Sequence, residues 1–301
     1  AGMNNWKASN SAVGGTPGRK NSVYGFYPDN TAPQLSHVSV IANDTILVYL
    51  DEPADSVSLM NPSAYVIDNG IGTPVGIDPI GPDYSKIKLA LGGPLQPDII
   101  YTITVSNAIT DCKGNLIGTE NTARFAIPQP ASLLDIIINE ILFDPKDNGV
   151  DFVEIYNRSN KVIDLKELTL SSMDTIAGIL TEVKNISTEG FLVFPQEYVV
   201  LSTNSSIVKS QYHTSNPRGF LDLSALPGMN NEGDIVVVAD KSFTIIDKLV
   251  YDQSMHFPLL NETKGVSLER IGFDRPTQDI PNWHSASTSS GFATPAYKNS
   301  Q

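Results

Sequence analysis

Residues 133–157 read LLDIIINEILFDPKDNGVDFVEIYN, and this stretch decides the fold. It reads as two apolar strands around an acidic turn, with one glutamate in each strand, Glu140 and Glu154. The run Ile136-Ile137-Ile138, continued by Ile141-Leu142-Phe143, is too short to span a membrane and too β-branched for a good helix. A strand buried on both faces fits it better. Asp144-Pro145-Lys146-Asp147-Asn148-Gly149 is rich in turn formers. In the return strand, Phe152, Glu154 and Tyr156 share one face, and Val153 and Ile155 the other. Counting by twos puts Glu140 on the face of Ile138 and Leu142, half buried. A buried carboxylate needs a partner.

The same residues carry a resemblance. Asn139-Glu140-Ile141 and Val153-Glu154-Ile155-Tyr156-Asn157 look like the opening of a lamin tail domain. Further pieces follow in that family's order: Tyr198-Val199-Val200-Leu201-Ser202, Asn231-Glu232-Gly233-Asp234-Ile235-Val236, Ile246-Asp247 to Tyr251, Gly265-Val266-Ser267-Leu268-Glu269-Arg270, Asn282-Trp283, and Ala293-Thr294-Pro295 with Asn299. The likeness covers roughly the last 170 residues. One departure is Lys241-Ser242, where the family tends to have a glycine. The resemblance implies an immunoglobulin-like β-sandwich. Animal members of the family sit in nuclear lamins, and bacterial members in secreted multidomain proteins.

At 301 residues the chain suits two domains, each long enough to bury a core. Hydrophobic content is 41% and charged content 18%, ordinary for a folded protein. No apolar run approaches the ~18 residues that cross a bilayer. Net charge is −13. Residues 31–128 and 129–301 are both acidic, and no basic cluster of the kind that binds phosphate backbones is present. No nucleic-acid partner is expected. Cys112 is the single cysteine, so no intramolecular disulfide can form. It reads as a plain residue of the turn at 111–115.

The chain also repeats itself. Asn5-Trp6-Lys7-Ala8-Ser9, followed by Gly15-Thr16-Pro17-Gly18-Arg19-Lys20-Asn21-Ser22, matches Asn282-Trp283, followed by Ala293-Thr294-Pro295-Ala296-Tyr297-Lys298-Asn299-Ser300. Residues 1–30 are therefore expected to be the tail end of a preceding lamin-tail-like domain plus a linker. Ala1-Gly2-Met3 reads as a cloning remnant or a cut site, so more chain is expected upstream. Trp6 is expected to pack on the first domain or on a neighbouring molecule, and the aromatics of 23–33 to lie against a domain surface. Residues 31–128 read as a bacterial Ig-like domain, with seven strands at 35–41, 46–50, 64–67, 73–77, 86–91, 101–105 and 123–127. Leu50-Asp51-Glu52-Pro53, Asn61-Pro62 to Tyr65, and Ile109-Thr110-Asp111 with Gly114-Asn115 resemble bacterial Ig-like repeats of the S-layer type. Pro128-Gln129-Pro130 marks the boundary before the lamin tail domain at 129–301. Within it, 204–212 reads as a short helix capped by Asn204 or Ser205. Residues 217–231 read as a long loop, and 233–240 with 243–251 as a hairpin.

Candidate chemistry is thin. Glu140, Glu154 and Glu269 can meet if their strands are neighbours, and paired carboxylates can do acid–base work. A structural network is the stronger reading, with Arg270 expected to pair with Glu140 or Glu154. The turn carrying Asp144, Asp147, Asn148 and Asp151 offers calcium-type oxygens but lacks an EF-hand pattern, and reads as a solvated turn. His37, His213, His256 and His284 lack zinc spacing. No nucleophile elbow or phosphate-cradling loop occurs. His256-Phe257-Pro258 with Tyr251 reads first as turn packing and second as a partner-binding patch. Asp44-Thr45-Ile46, Asp55-Ser56-Val57 and Asp174-Thr175-Ile176 resemble the O-glycosylation triplet of Bacteroidetes exported proteins.

The expectation is an all-β chain of two immunoglobulin-like β-sandwich domains in tandem, with no catalytic residues, no metal and no cofactor. The expected role is a non-catalytic structural or interaction module of a secreted or cell-surface protein, its partner an unidentified protein or surface glycan. The alternatives are a carbohydrate- or calcium-binding adhesion module, and the accessory domains of an upstream hydrolase or nuclease.

Overall fold

The computed structural model describes residues 8–25 and 29–301. The Trp6 expectation lies outside the described residues. The chain forms two compact units, Ala1–Ile127 and Pro128–Gln301. Both are built from β-sheets, and the described residues contain a single α-helix.

Among its described residues the first unit has seven strands: β1 (Leu35–Ala42), β2 (Thr45–Leu50), β3 (Tyr65–Ile67), β4 (Gly76–Ile80), β5 (Lys86–Ala90), β6 (Tyr101–Val105) and β7 (Thr122–Phe125). They form a four-stranded sheet in the order β1-β2-β5-β4 and a three-stranded sheet β3-β6-β7. Alternation sets the inward faces. Ile46, Val48, Ile87 and Leu89 are fully buried from the first sheet, and Tyr65, Ile103 and Phe125 from the second. The fourth strand begins at Gly76, later than the expected 73. Pro79 falls inside it, which is tolerable because β4 is an edge strand with a ladder on one side only. Of the linker aromatics expected on a domain surface, Phe26 and Tyr27 lie outside the described residues, and Tyr24 is 71% exposed. Its ring instead carries Lys20 Nζ at 4.0 Å.

The second unit has twelve strands: β8 (Ile136–Leu142), β9 (Phe152–Asn157), β10 (Ile163–Asp164), β11 (Leu168–Asp174), β12 (Ile179–Asn185), β13 (Leu192–Val193), β14 (Tyr198–Ser202), β15 (Phe220–Asp222), β16 (Gly233–Asp240), β17 (Ile245–Asp252), β18 (Leu268–Arg270) and β19 (Trp283–Ser285). Its main sheets run β15-β14-β9-β8-β18-β19 and β12-β11-β16-β17. Ile138, Ile141, Val153, Ile155 and Leu268 from one sheet, and Leu170, Val236, Val238 and Leu249 from the other, share one core. Helix α1 (Ser205–Gln211) is capped by Asn204, whose side chain accepts from the Ile207 amide at 3.2 Å. The stretch at 217–231 is not all loop. Phe220–Asp222 adds a parallel edge strand to β14.

The outer face of the six-stranded sheet is covered too. Leu142, Phe152 and Val200 pack there against Val208 and Tyr212 from the helix region and Ala293 and Ala296 from the chain end. This is why β8 and β9 are buried at every position.

Candidate functional site

A bulge sets the site. β8 pairs with β9 as Ile138↔Ile155 and then Glu140↔Glu154, with Asn139 as the extra residue between. The bulge reverses the alternation. Ile138 therefore points into the core, while Glu140 points to the outer face beside Leu142. Glu140 is 0% exposed, not half exposed as counting by twos predicts. β18 extends the row, because Glu269 pairs directly with Glu140. Three adjacent strands thus bring together Glu154, Glu140 and Glu269, each 0% exposed.

Arg270 does not serve this ladder, contrary to expectation. It follows Glu269 in a strand, so it points to the opposite face. There it lies 3.7 Å from Asp247 of β17, in the facing sheet. Its guanidinium also donates to the Ile138 carbonyl at 3.1 Å and to the Thr277 hydroxyl at 2.8 Å. Asp247 accepts from Thr277 at 2.6 Å and from the Ile138 amide at 2.8 Å. Burial pushes the Asp247 carboxyl above its ordinary value, against these bonds and Arg270. The ion pair ties the two sheets together inside the core.

The partners of the ladder come from residues 291–301, a strap laid across it. The Thr294 amide donates to Glu140 Oε1 at 2.9 Å. The Thr294 hydroxyl lies 2.6 Å from Glu269 Oε1 and 3.2 Å from Glu140 Oε2. The Ala296 amide donates to Glu154 Oε2 at 2.5 Å. Ser300 donates to Glu269 Oε2 through its amide at 2.9 Å and its hydroxyl at 2.6 Å. Asn299 donates to the Arg270 carbonyl at 2.7 Å and accepts from Asn139 at 2.8 Å. Asn139 also donates to Glu154 Oε1 at 2.7 Å, and Ser267 to Glu140 Oε1 at 2.5 Å.

The donor count places a proton. Glu154 and Glu269 face only donors. The Thr294 hydroxyl has one hydrogen and two carboxylate neighbours. It gives that hydrogen to Glu269, the nearer, and accepts from Glu140. On this geometry Glu140 is the member of the row best placed to carry a proton. Burial, then the charge of Glu269, push its carboxyl well above the usual range. Burial, then Glu140, push Glu154 up as well. Its two N–H donors leave no acceptor for a proton beside it, so the hydrogen-bond geometry favours Glu140 of the two.

The other candidate groups are spent on local structure. Asp147 bridges Lys264 at 2.5 Å, and Asp144 accepts from Asn231 at 2.8 Å. Burial, then Asp144, push Asp151 up to about 7. His256 is buried, its Nδ1 2.9 Å from the Ser285 hydroxyl, and burial lowers it to about 4. His37 stacks on Tyr49, His213 lies edge-on to Tyr297, and His284 sits beside Phe257. Trp283 donates to the Thr277 carbonyl at 2.7 Å within the core. Cys112 is exposed, its thiol 3.8 Å from the Ala54 carbonyl. A groove of about 360 Å³ runs past Pro128, Pro130, Asp164, Glu167 and Asp240. Asp164 accepts from the Lys166 and Phe191 amides, and Asp240 from those of Ser242 and Thr244, each through Oδ1.

One cluster escaped the sequence reading. Asp29, Glu52 and Asp111 of the first unit hold carboxylate oxygens within 4.8 Å of one another. Burial, then Asp29, raise Glu52. Asp111 accepts from the Lys113 and Asn115 amides and from the Asn115 side chain, which outweigh burial and lower it. The residues are too far apart in sequence to have signalled each other.

Comparison with known proteins finds the Lamin Tail Domain family over residues 129–253 and the Bacterial Ig-like domain family over residues 28–126. Glu269 and the strap lie beyond the first match. No curated protein matches the chain. Among solved structures, the N-terminal part of the bacterial S-layer protein SbsC is similar at 16% identity and TM-score 0.29, over 74% of this chain and 44% of that one. A DUF4876 family protein from Bacteroides thetaiotaomicron is similar at 12% identity and TM-score 0.33, over 71% of this chain and 90% of that one. The chain thus spans less than half the length of the S-layer structure.

Proposed function

From a chain that carries a bacterial Ig-like domain followed by a lamin tail domain, we propose a non-catalytic structural and interaction module of a secreted or cell-surface multidomain protein. One observation carries this reading. The richest cluster of titratable groups, the ladder, is sealed at 0% exposure and its oxygens are bound by the strap. A substrate would have to displace the strap to reach it. The ladder holds the chain end against the sheet and so closes the outer face.

The exposed edges then carry the contacts. In the second unit β12 is an edge strand, with Ile179 and Val183 exposed and Ile176 98% exposed at its hairpin tip. The pairing of a bacterial Ig-like domain with a lamin tail domain supports an exported setting. No helix among the described residues is long and apolar enough to cross a membrane.

The test is a glycan array with and without calcium, run on the intact chain beside a panel of glycoside and phosphodiester substrates. The expected result is background signal from both. Turnover abolished by Glu140→Gln would contradict the reading, and saturable calcium-dependent glycan binding would replace it with the adhesion-module alternative.

A further inference from the structure

The segment at residues 9–22 is a second copy of the strap, already folded to its shape. In the strap, Thr294-Pro295-Ala296-Tyr297 closes a turn through the Tyr297 amide and Thr294 carbonyl at 3.4 Å. In the segment, Thr16-Pro17-Gly18-Arg19 closes the same turn at 3.2 Å. Proline second and a left-handed residue third define type II. The left-handed positions recur in register: φ is +67° at Ala296 and +69° at Gly18, and +74° at Phe292 and +78° at Gly14. The loop closure recurs as well. The Ser287 amide donates to the Ser300 hydroxyl at 2.8 Å, and the Asn10 amide to the Ser22 hydroxyl at 2.9 Å. The segment has glycine at both left-handed positions, which suits it to this backbone better than the strap itself.

What differs is the ligand. In the strap, Thr294, Ala296, Asn299 and Ser300 spend their donors on the carboxylate row and its flank. Their counterparts Thr16, Gly18, Asn21 and Ser22 bond no carboxylate among the described residues. Gly18, Asn21 and Ser22 are exposed. Among the described residues the Thr16 hydroxyl reaches the Asn21 side chain, at 3.5 Å.

We propose that residues 9–22 are the binding half of a carboxylate-ladder clamp, and that they seat on a lamin-tail-type sandwich other than this chain's own. The chain's own ladder is already filled by residues 291–301. The partner is identified by its chemistry: three adjacent strands presenting three carboxyls on the outer face of a sheet to a Thr-Pro-Gly turn. The Thr16 hydroxyl would bridge two of the carboxyls, the Gly18 amide would meet the third, and Ser22 would close the far end. This stands independently of the non-catalytic reading above.

The test grafts the segment onto the ladder in the intact chain. Ala293→Gly, Ala296→Gly and Tyr297→Arg together convert residues 293–300 to the sequence of 15–22. The expected melting temperature lies within about 5 °C of the parent, with the amides at 294, 296 and 300 still protected from hydrogen exchange. Thr294→Val with Asn299→Ala, lacking the ligands, is expected to lose that protection. A synthetic peptide of residues 9–22 is expected to raise the melting temperature of this second variant, and the same peptide with Thr16→Val and Asn21→Ala is not. A graft that melts with the ligand-less variant, or two peptides that act alike, would overturn the proposal. If the ligand-less variant does not fold, the graft decides by the same criterion. Concentration-dependent self-association of the parent chain, lost on Thr16→Val with Asn21→Ala, would overturn the choice of partner by placing the segment on a second copy.

Discussion

Three glutamates meet in the second unit and, among the described residues, none of them is held by an ion pair, so their fate depends on hydrogen-bond donors. Glutamine tests the assignment atom by atom. Glu140→Gln keeps an acceptor for Ser267 and the Thr294 amide, and offers its own N–H to the Thr294 hydroxyl. Its stability at pH 7 is expected to fall within about 1 kcal/mol of the parent. Glu154→Gln sets a donor against either Asn139 or the Ala296 amide, and is expected to cost about 2–4 kcal/mol by denaturant titration. Arg270→Ala strands a buried Asp247 and is expected to cost about 3–5 kcal/mol, while Arg270→Met with Asp247→Leu recovers much of that. The sequence held the clue to this pairing. If Glu269 joins Glu140, its neighbour Arg270 must point away, and period two alone excludes the expected Arg270–Glu pair. The bulge at Asn139 left no such mark, because nothing local distinguishes it from regular strand, and it moved Glu140 from half exposed to sealed.

At the scale of elements, the hairpin β8–β9, the hairpin β16–β17 and helix α1 were readable from apolar runs, turn residues and a cap. Asn204→Ala is expected to cost about 1 kcal/mol, read from the denaturation midpoint. Strand β15 was not readable, since three residues with mixed burial carry no period. The strap was half readable. Its repeat at the start of the chain marked it as a motif, but its role appears only where the sheet presents carboxylates to it. Thr294→Val removes the hydroxyl that bridges Glu140 and Glu269 and is expected to cost about 2–3 kcal/mol, because it leaves two buried acids short of a partner.

For the whole molecule, stability should depend on pH from both sides. Glu140 is raised in the folded state above its ordinary value of 4.5. Its contribution is full below that value and is lost as pH rises through the folded one. His256 is lowered from 6.5 to about 4, so its contribution is full above 6.5 and is lost as pH falls toward 4. Calorimetry across this range is expected to show the second unit's transition falling on both sides, with Glu140→Gln flattening the alkaline limb and His256→Asn the acid one. The account rests on the ladder being a structural clamp held shut by the chain end. Native-state hydrogen exchange of the Thr294, Ala296 and Ser300 amides tests this most directly. The clamp predicts that they exchange as slowly as the Val200 and Leu268 amides of the sheet beneath. Exchange at the rate of a frayed terminus, with the sheet still protected, would contradict it.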